Sequence, residues 1–423
     1  MWISFLPRTR YSGEMHHVFS LWRRTFISLQ VRNFRYFFVG QIVSLSGTWM
    51  QMFILGWLAL QLSGSGVQLG IVVALQFIPL LFFGVWGGLM ADRFDKRSLL
   101  FLSQTAFLTL ALLMSALLFW DLVTMGVLYV YALGLGLVRV LDNPVRNTFA
   151  SDIVSEEYVK NAVSLNGVTM HIARIIGPSI GGVLIVAFNI ATSFLYAAVS
   201  YVVCMIMLYR MRVHELQRHE RHPHQKGQII EGLRYAWNSP VIKNTLLMMA
   251  VVGTFSFEFH VTLPLLAERA FMVGAEGYAL LLSVMGAGAI LGGLYSAGQR
   301  ESTPRGLVYA VLLFGVAMMV TSLIPVFALA VAAIAVVGFF STNVTAQGNS
   351  LLQLRSDPAM RGRVMSLWNI AMVGSTPIGG VIIGVIGEYM GARWAFGVGG
   401  LAAAGIALLA LVMFSQFRKR PRV

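Results

Sequence analysis

Twelve runs of apolar residues, each about long enough to cross a bilayer as a helix of some 20 residues, constrain this chain to a membrane bundle. They begin near Tyr36, Val67, Ser98, Leu122, Val163 and Ile190, then near Thr245, Tyr278, Leu307, Phe327, Val364 and Trp394. Hydrocarbon offers no partner for a backbone N–H or C=O, so runs of this length are expected as helices with their hydrogen bonds closed internally. Composition agrees: 57% of the residues are hydrophobic and 11% charged, with a mean hydropathy of +0.75, where a soluble domain averages about 25% charged. The longest polar stretch, Arg212 to Lys243, follows the sixth run and divides the runs into six plus six. The expected organisation is an arm at 1–35, a six-helix bundle at 36–211, a linker at 212–243, a second bundle at 244–415 and a basic tail at 416–423.

The net charge of +14 would suit a nucleic-acid partner if the bases were clustered on a soluble face. Instead, with the N-terminus placed inside, all of the 31 Lys and Arg residues except Arg139, Arg174, Arg269 and Arg393 fall in segments on one side. That asymmetry sets both termini in the cytoplasm, and insertion next to anionic lipid accounts for the excess without nucleic acid. Residues 1–35 are basic, broken by Pro7 and Gly13, and carry no apolar core or small-residue cleavage site of a signal peptide. The single cysteine, Cys204, has no internal partner for a disulfide.

The two halves repeat weakly at an offset of about 200 residues, as duplicated transporter folds do. Gly87, Gly88 and Leu89 correspond to Gly292, Gly293 and Leu294, and AVSLNG followed by GPSIGG echoes VMSLWN followed by STPIGG. Gly84, Gly87 and Gly88 offer a face without side chains for close helix packing, as do Gly177, Gly181 and Gly182 around Pro178. The string GGLMADRFDKR, Gly87 to Arg97, ends an apolar run in five charges. Read alone, its bases are a positive-inside stop.

With the twelve runs, that string resembles the signature loop of the major facilitator superfamily: Gly, three residues, Asp, Arg, one residue, Gly, Arg, then Arg or Lys. Gly88, Asp92, Arg93 and Arg97 fit, Lys96 replaces an Arg, and Asp95 stands where the family has Gly. The resemblance implies an all-α membrane protein of twelve transmembrane helices in two six-helix pseudo-repeats, working by alternating access. It also implies that the loop latches the halves on the cytoplasmic side, with Asp92 close to the start of the eleventh span near Arg361 to Val364. GPSIGG is similar to the core of the superfamily exporters' glycine-proline motif, although Ala173 replaces an upstream glycine. LDNPVRNTF, KNAVSL, ARIIGPSIGG and RGRVMSL resemble the bacterial branch that holds the enterobactin exporter and drug-efflux relatives.

Charge inside a span is costly, about 2.5 to 3.5 kcal/mol even on the lenient insertion scale, and marks function or a partner. Arg139, Asp142 and Arg146 share one helical face by their spacing. Pro144 is expected to end the fourth span, which leaves Asp142 and Arg146 as an interfacial ladder or, with Arg139, a cavity lining. Arg174 and Glu258 sit near mid-bilayer, with His171 and His260 at similar depth. Glu258 is the one acid placed deep in a span. It is expected either to carry a coupling proton, with Arg174 or Arg139 as modulating partner, or to be held in a fixed salt bridge to Arg174, with Asp142 as the alternative carrier. The resemblance further implies a moderately polar path from Gln41, Ser44, Thr48 and Gln51 in the first span and Asn343, Thr345, Gln347 and Asn349 in the tenth.

His214, His219, His222 and His224 cluster in the linker, but without cysteines and among bases they read as a solvated tether, not a metal site. No phosphate-binding loop of Gly, four residues, Gly, Lys and Ser or Thr occurs, and no nucleophile elbow, so neither an ATP-driven pump nor an enzyme is expected. The expectation is a secondary transporter in a bacterial inner membrane, energised by the proton gradient without a cofactor, antiporting and exporting a small amphipathic compound such as a drug or siderophore as a monomer. Uptake by the same fold, or a non-transporting scaffold or sensor, are the competing readings.

Overall fold

The structure, a computed structural model, describes residues 26–215, 228–299, 302–358 and 360–417. Among these, twelve segments are helical, long and apolar enough to cross a membrane. The first six spans are Arg32–Ser63, Gly66–Arg93, Lys96–Phe119, Met125–Asp152, Glu156–Ala187 and Ile190–Tyr209. The seventh is split into Pro240–Phe255 and Phe259–Leu265 and closes on a wide turn, Leu266–Ala270. Gly274–Ala297, Pro304–Leu323 and Phe327–Arg355 follow, then an eleventh span split into Arg361–Met372 and Thr376–Tyr389, and a twelfth, Ala392–Phe417. Polar residues cap five of the spans at their start: Ser65, Asp95, Thr124, Asn189 and Thr303 each accept from a first-turn backbone N–H. Gly64, with φ of 60°, closes the first span in the left-handed conformation that glycine adopts without strain.

Pro144 does not end the fourth span, which continues to Asp152. A proline leaves the carbonyl four residues earlier without its helical donor, here Val140. A Cβ on Gly87 would collide with that same Val140 oxygen, so the second span's backbone closes over the exposed carbonyl with only a Cα–H facing it. The duplication repeats the device's packing: Gly292, the counterpart of Gly87, meets the Phe339 carbonyl of the tenth span. Gly84 and Gly88, grouped with Gly87 on sequence grounds, meet no neighbouring helix within 4 Å.

The glycine-proline strings are also equivalent in space. Cβ atoms at Gly177 would meet the backbone of the first span at Ser46 and Met50, and at Gly379 the Thr254 carbonyl of the seventh. Gly181 faces Met50 and Phe53, whereas Gly182 faces Ala279 of the eighth span, across the boundary between halves. The halves meet along two such seams. The second span lies on the eleventh, Gly66 and Gly70 against Gly384 and Gly380, and the fifth lies on the eighth, where the Ser179 and Ser283 hydroxyls are 2.7 Å apart. These contacts sit between mid-membrane and the face away from the chain termini.

Part of the stretch expected as linker is helical: Gln228–Asn238 precedes a seventh span that starts at Pro240. It docks on the start of the eleventh span through Glu231 and Arg363 (2.6 Å) and on the connection before it through Tyr235, which donates to the Asp357 carboxylate (3.1 Å) and accepts from its N–H (3.0 Å).

Candidate functional site

The seventh span unwinds at Ser256–Glu258, and the eleventh breaks at Val373–Ser375 directly beside it. Gly253 faces Ala371 and Ser375, and Gly379 faces Thr254. Interrupted spans survive in a membrane only where protein or a cavity answers the freed backbone groups. Here Ser256 Oγ donates to the Gly399 carbonyl at 2.6 Å, and the Glu258 carbonyl accepts from the N–H groups of Val261 and Thr262. The Glu258 side chain enters the gap left by Gly379 and Gly380 and is 1% exposed. Thr376, first residue of the half-helix Thr376–Tyr389, lies beside it, yet neither carboxylate oxygen has a well-formed hydrogen bond among the described residues. The expected salt bridge to Arg174 is not made. Arg174 instead stands over the Trp49 ring, 5.0 Å from its centroid.

Trp49 stacks in turn on His260, with centroids 5.8 Å apart and planes at 26°. Arg139 is 8% exposed and has one guanidinium nitrogen, Nη2, without a hydrogen-bond partner among the described residues; His260 Nδ1 is likewise unpartnered. The fifth, first and seventh spans thus bring Arg174, Trp49 and His260 into contact, and Arg139 of the fourth span is buried in the same half as Arg174 and Trp49. His171 lies in the fifth span, and its side chain is outside the described residues.

Asp142 and Arg146 form a buried pair, not an interfacial ladder. Arg146 Nε donates to Asp142 Oδ2 at 2.7 Å and Nη2 to Oδ1 at 3.0 Å; Oδ1 also accepts from Ser103 (2.7 Å) and Gln104 (3.0 Å). Arg146 donates further to Gln41, and Ser44 donates to Gln104 at 2.6 Å. Gln51 accepts from the Tyr201 hydroxyl at 2.7 Å and Thr48 lies 3.2 Å from it. The polar stripe of the first span, expected to line a path, is therefore held in contacts within its own half. In the tenth span Gln347 donates to Asn343 (2.8 Å) and Asn343 to Ser296 (3.0 Å), while Thr345 and Asn349 do face open space. They line a cavity of about 610 Å³ with Gln353, Trp368, Asn369 and Met372, in the half of the bundle nearer the termini.

At that end, Asp95 replaces the family's glycine by capping the third span, accepting from Ser98 N and Oγ, both at 2.8 Å. Arg97 donates to the carbonyls of Leu208 (2.9 Å) and Tyr209 (3.2 Å), and Lys96 pairs with Asp152 at 2.7 Å. Gly88 is open on its Cβ side. Asp92 and Arg93 sit at the last turn of the second span. At the start of the eleventh span, Arg363 engages Glu231 and Arg361 donates to the Gln353 carbonyl. The opposite end is clamped by Arg269, which donates to the carbonyls of Gly64 and Gly387 and to Glu388 (2.9 Å); Glu388 also accepts from Gly66 N–H at 2.6 Å. His214 is exposed at the end of the sixth span, and His219, His222 and His224 lie outside the described residues. No group of three metal-binding side chains occurs among the described residues.

A sequence profile described as transmembrane secretion effector matches residues 24–422. The chain belongs to this family of the major facilitator superfamily. Among curated proteins it is similar to the staphyloferrin A transporter of Staphylococcus aureus, 23% identical over 89% of this chain and 94% of that protein. It is 26% identical to the enterobactin exporter of Citrobacter koseri, over 86% of this chain and 84% of that one. Its fold matches the crystal structure of a bacterial homologue of the human lysosomal transporter Spinster, solved inward-facing and unoccupied, with a TM-score of 0.72, 14% identity and coverage of 92% and 99%. It matches the transporter PepTSo with a TM-score of 0.72, 14% identity and coverage of 93% and 99%.

This secretion-effector family member is therefore a multi-pass membrane transporter of small molecules rather than an enzyme, in line with the resemblance read from Gly88 to Arg97. Sequence reasoning passed over two of its constellations. The Arg269–Glu388 clamp joins residues far apart in sequence, one of which, Arg269, was visible only as a rare base on the far side. The break at Glu258 carries no glycine or proline of its own, although Pro377, in the first turn of the half-helix opposite, marks the matching break in the eleventh span.

Proposed function

We propose that this transporter is a proton-coupled exporter of a small amphipathic compound, working by alternating access as a monomer in a bacterial inner membrane with both termini cytoplasmic. The observation that carries the coupling is Glu258, an acid buried at the meeting of the two broken spans without a well-formed hydrogen bond. Its carboxylate lies in the gap left by Gly379 and Gly380 beside the first turn of the half-helix Thr376–Tyr389, so a small shift of the eleventh span against the seventh changes what surrounds it. Asp142 is the weaker candidate because Arg146, Ser103 and Gln104 already fix both its oxygens.

In this reading the conformation is open to the cytoplasm. The glycine seams and the Arg269–Glu388 clamp seal the far face, and the cavity by Asn349 and Trp368 lies on the cytoplasmic side. To face outward the clamp opens, and the loop of Gly88, Asp92, Arg93 and Arg97 latches the cytoplasmic ends, with Asp92 moving to the start of the eleventh span. Export is supported by the similarity to the enterobactin exporter and by the family's description as secretion effectors. The test is accumulation of drugs and siderophores in cells with and without the protein. Export lowers accumulation; a rise would establish uptake, and no change for any compound would favour a scaffold.

A further inference from the structure

The far face is closed by contacts of different kinds. At the rim Arg269 bridges Glu388 and Gly64, and along the sides the glycine seams bring backbones together. Inward of the seam at Ala279, one aromatic side chain crosses from half to half. Tyr278, one turn inside the eighth span, is fully buried, with its ring 4.6 Å from that of Phe53 and 6.4 Å from that of Trp57, both in the first span. Gly56 leaves room at the tip of the ring: a Cβ there would stand 3.8 Å from the Tyr278 hydroxyl, 3.7 Å from Leu69 of the second span and 3.6 Å from the His260 carbonyl of the seventh. Four spans, two from each half, converge on this phenol.

Opening asks different things of these contacts. The seams have no side chain to swing aside and part only as the halves move. Arg269 and Glu388 have side chains 28% exposed, so both regain water when they separate and little is lost. The Tyr278 ring is a large apolar surface that must leave its seat. That seat also carries a cost: the Tyr278 hydroxyl and the Trp57 indole N–H have no hydrogen-bond partner among the described residues. A buried polar group left unpaired loses free energy that contact with water restores, so the closed seat is penalised relative to an open one. Phenylalanine would place the same ring without that penalty.

We infer that Tyr278 is the gating residue of the far face: its ring, seated against Phe53 and Trp57, holds this conformation, and its hydroxyl keeps the hold weak enough to release. The inference rests on the alternating-access reading and names the side chain on which it turns, whatever the substrate, direction or coupling ion.

The test is spin-label distances in the full chain in lipid nanodiscs, with Cys204→Ser to remove the native thiol. One pair sits on Leu62 and Tyr389 at the far face and another on Phe94 and Gly362 at the opposite end, all exposed positions. Tyr278→Ala should raise the ratio of long to short far-face distances by about tenfold or more, the effect of deleting a buried aromatic ring from one of two states, and should shorten the second pair. A merely loosened fold would broaden the first pair without shortening the second. Tyr278→Phe should hold the far face shut at least as firmly as the parent and melt at a higher temperature. Should Tyr278→Ala fail to fold, Tyr278→Leu takes its place and should move both pairs in the same directions. Distances like the parent's in the folded variants, a far face that lengthens alone, or a Tyr278→Phe protein that opens more readily or melts no higher than the parent, overturns the inference. Vesicle transport separates it from the parent reading. Export by a chain whose distances ignore Tyr278 would sink the gate and leave the transporter, whereas Tyr278-dependent opening in a chain that moves no compound would do the reverse.

Discussion

The buried pair of Asp142 and Arg146 makes a sharp stability prediction, because two accounts of it differ in magnitude. Asp142 accepts four hydrogen bonds, from Ser103, Gln104 and twice from Arg146. If these acted as ordinary bonds within a membrane protein, each would contribute about 0.6 kcal/mol. Asp142→Asn with its oxygen at the Oδ1 position retains three of them, from Ser103, Gln104 and Arg146 Nη2, and loses only the Arg146 Nε bond at Oδ2, so it would cost only about 0.6 kcal/mol. Treated as a charge pair, the substitution leaves Arg146 buried and unanswered, and removal of one partner costs about 3 to 5 kcal/mol. The second figure should hold, since Arg146 is 3% exposed and its other acceptors are neutral. Removing both charges, Asp142→Asn with Arg146→Gln, should restore stability to within about 1 kcal/mol of the parent, because a buried pair exchanged whole is close to neutral. The assay is reversible unfolding in mixed micelles for the four proteins of the cycle. A coupling energy under about 0.5 kcal/mol would refute the charge-pair account.

Other consequences are open to direct measurement. Gly177→Val should destabilise by about 1 to 3 kcal/mol or abolish folding, since its side chain would meet the Ser46 and Met50 backbone, and Gly88→Ala, which meets nothing within 4 Å, should be tolerated in a melting assay. Arg269→Gln should loosen the far-face clamp, so that spin labels beside Gly64 and Glu388 report a longer distance; an unchanged distribution would mean the glycine seams alone seal that face. Asp92→Asn should impair transport while leaving membrane insertion and yield intact, and normal transport would remove the loop's latching role.

Much of the architecture was legible because a bilayer leaves a chain few options. The twelve apolar runs and the repeat of Gly87 at Gly292 reappear as spans and equivalent packing contacts. The local breaks were harder to read. Pro144 signals an end by its missing donor, but the remedy lies in Gly87 of another span, which no local pattern contains. Conversely, the seventh span unwinds at Ser256–Glu258 without a breaker, because the partners that hold it, Gly399, Gly379 and Thr376, come from the eleventh and twelfth spans. Charges were easier to locate than to pair. Glu258 and Arg174 share a depth, so spacing alone permitted a salt bridge, but they point to different neighbours, a glycine gap and the Trp49 ring.

Substrate movement by Glu258→Gln protein in reconstituted vesicles tests proton coupling most directly, since the change keeps the side chain's shape and removes its titration. The account predicts that transport driven by an imposed pH gradient disappears, while substrate binding persists and loses its dependence on pH. Gradient-driven, pH-dependent transport equal to that of the parent would contradict it.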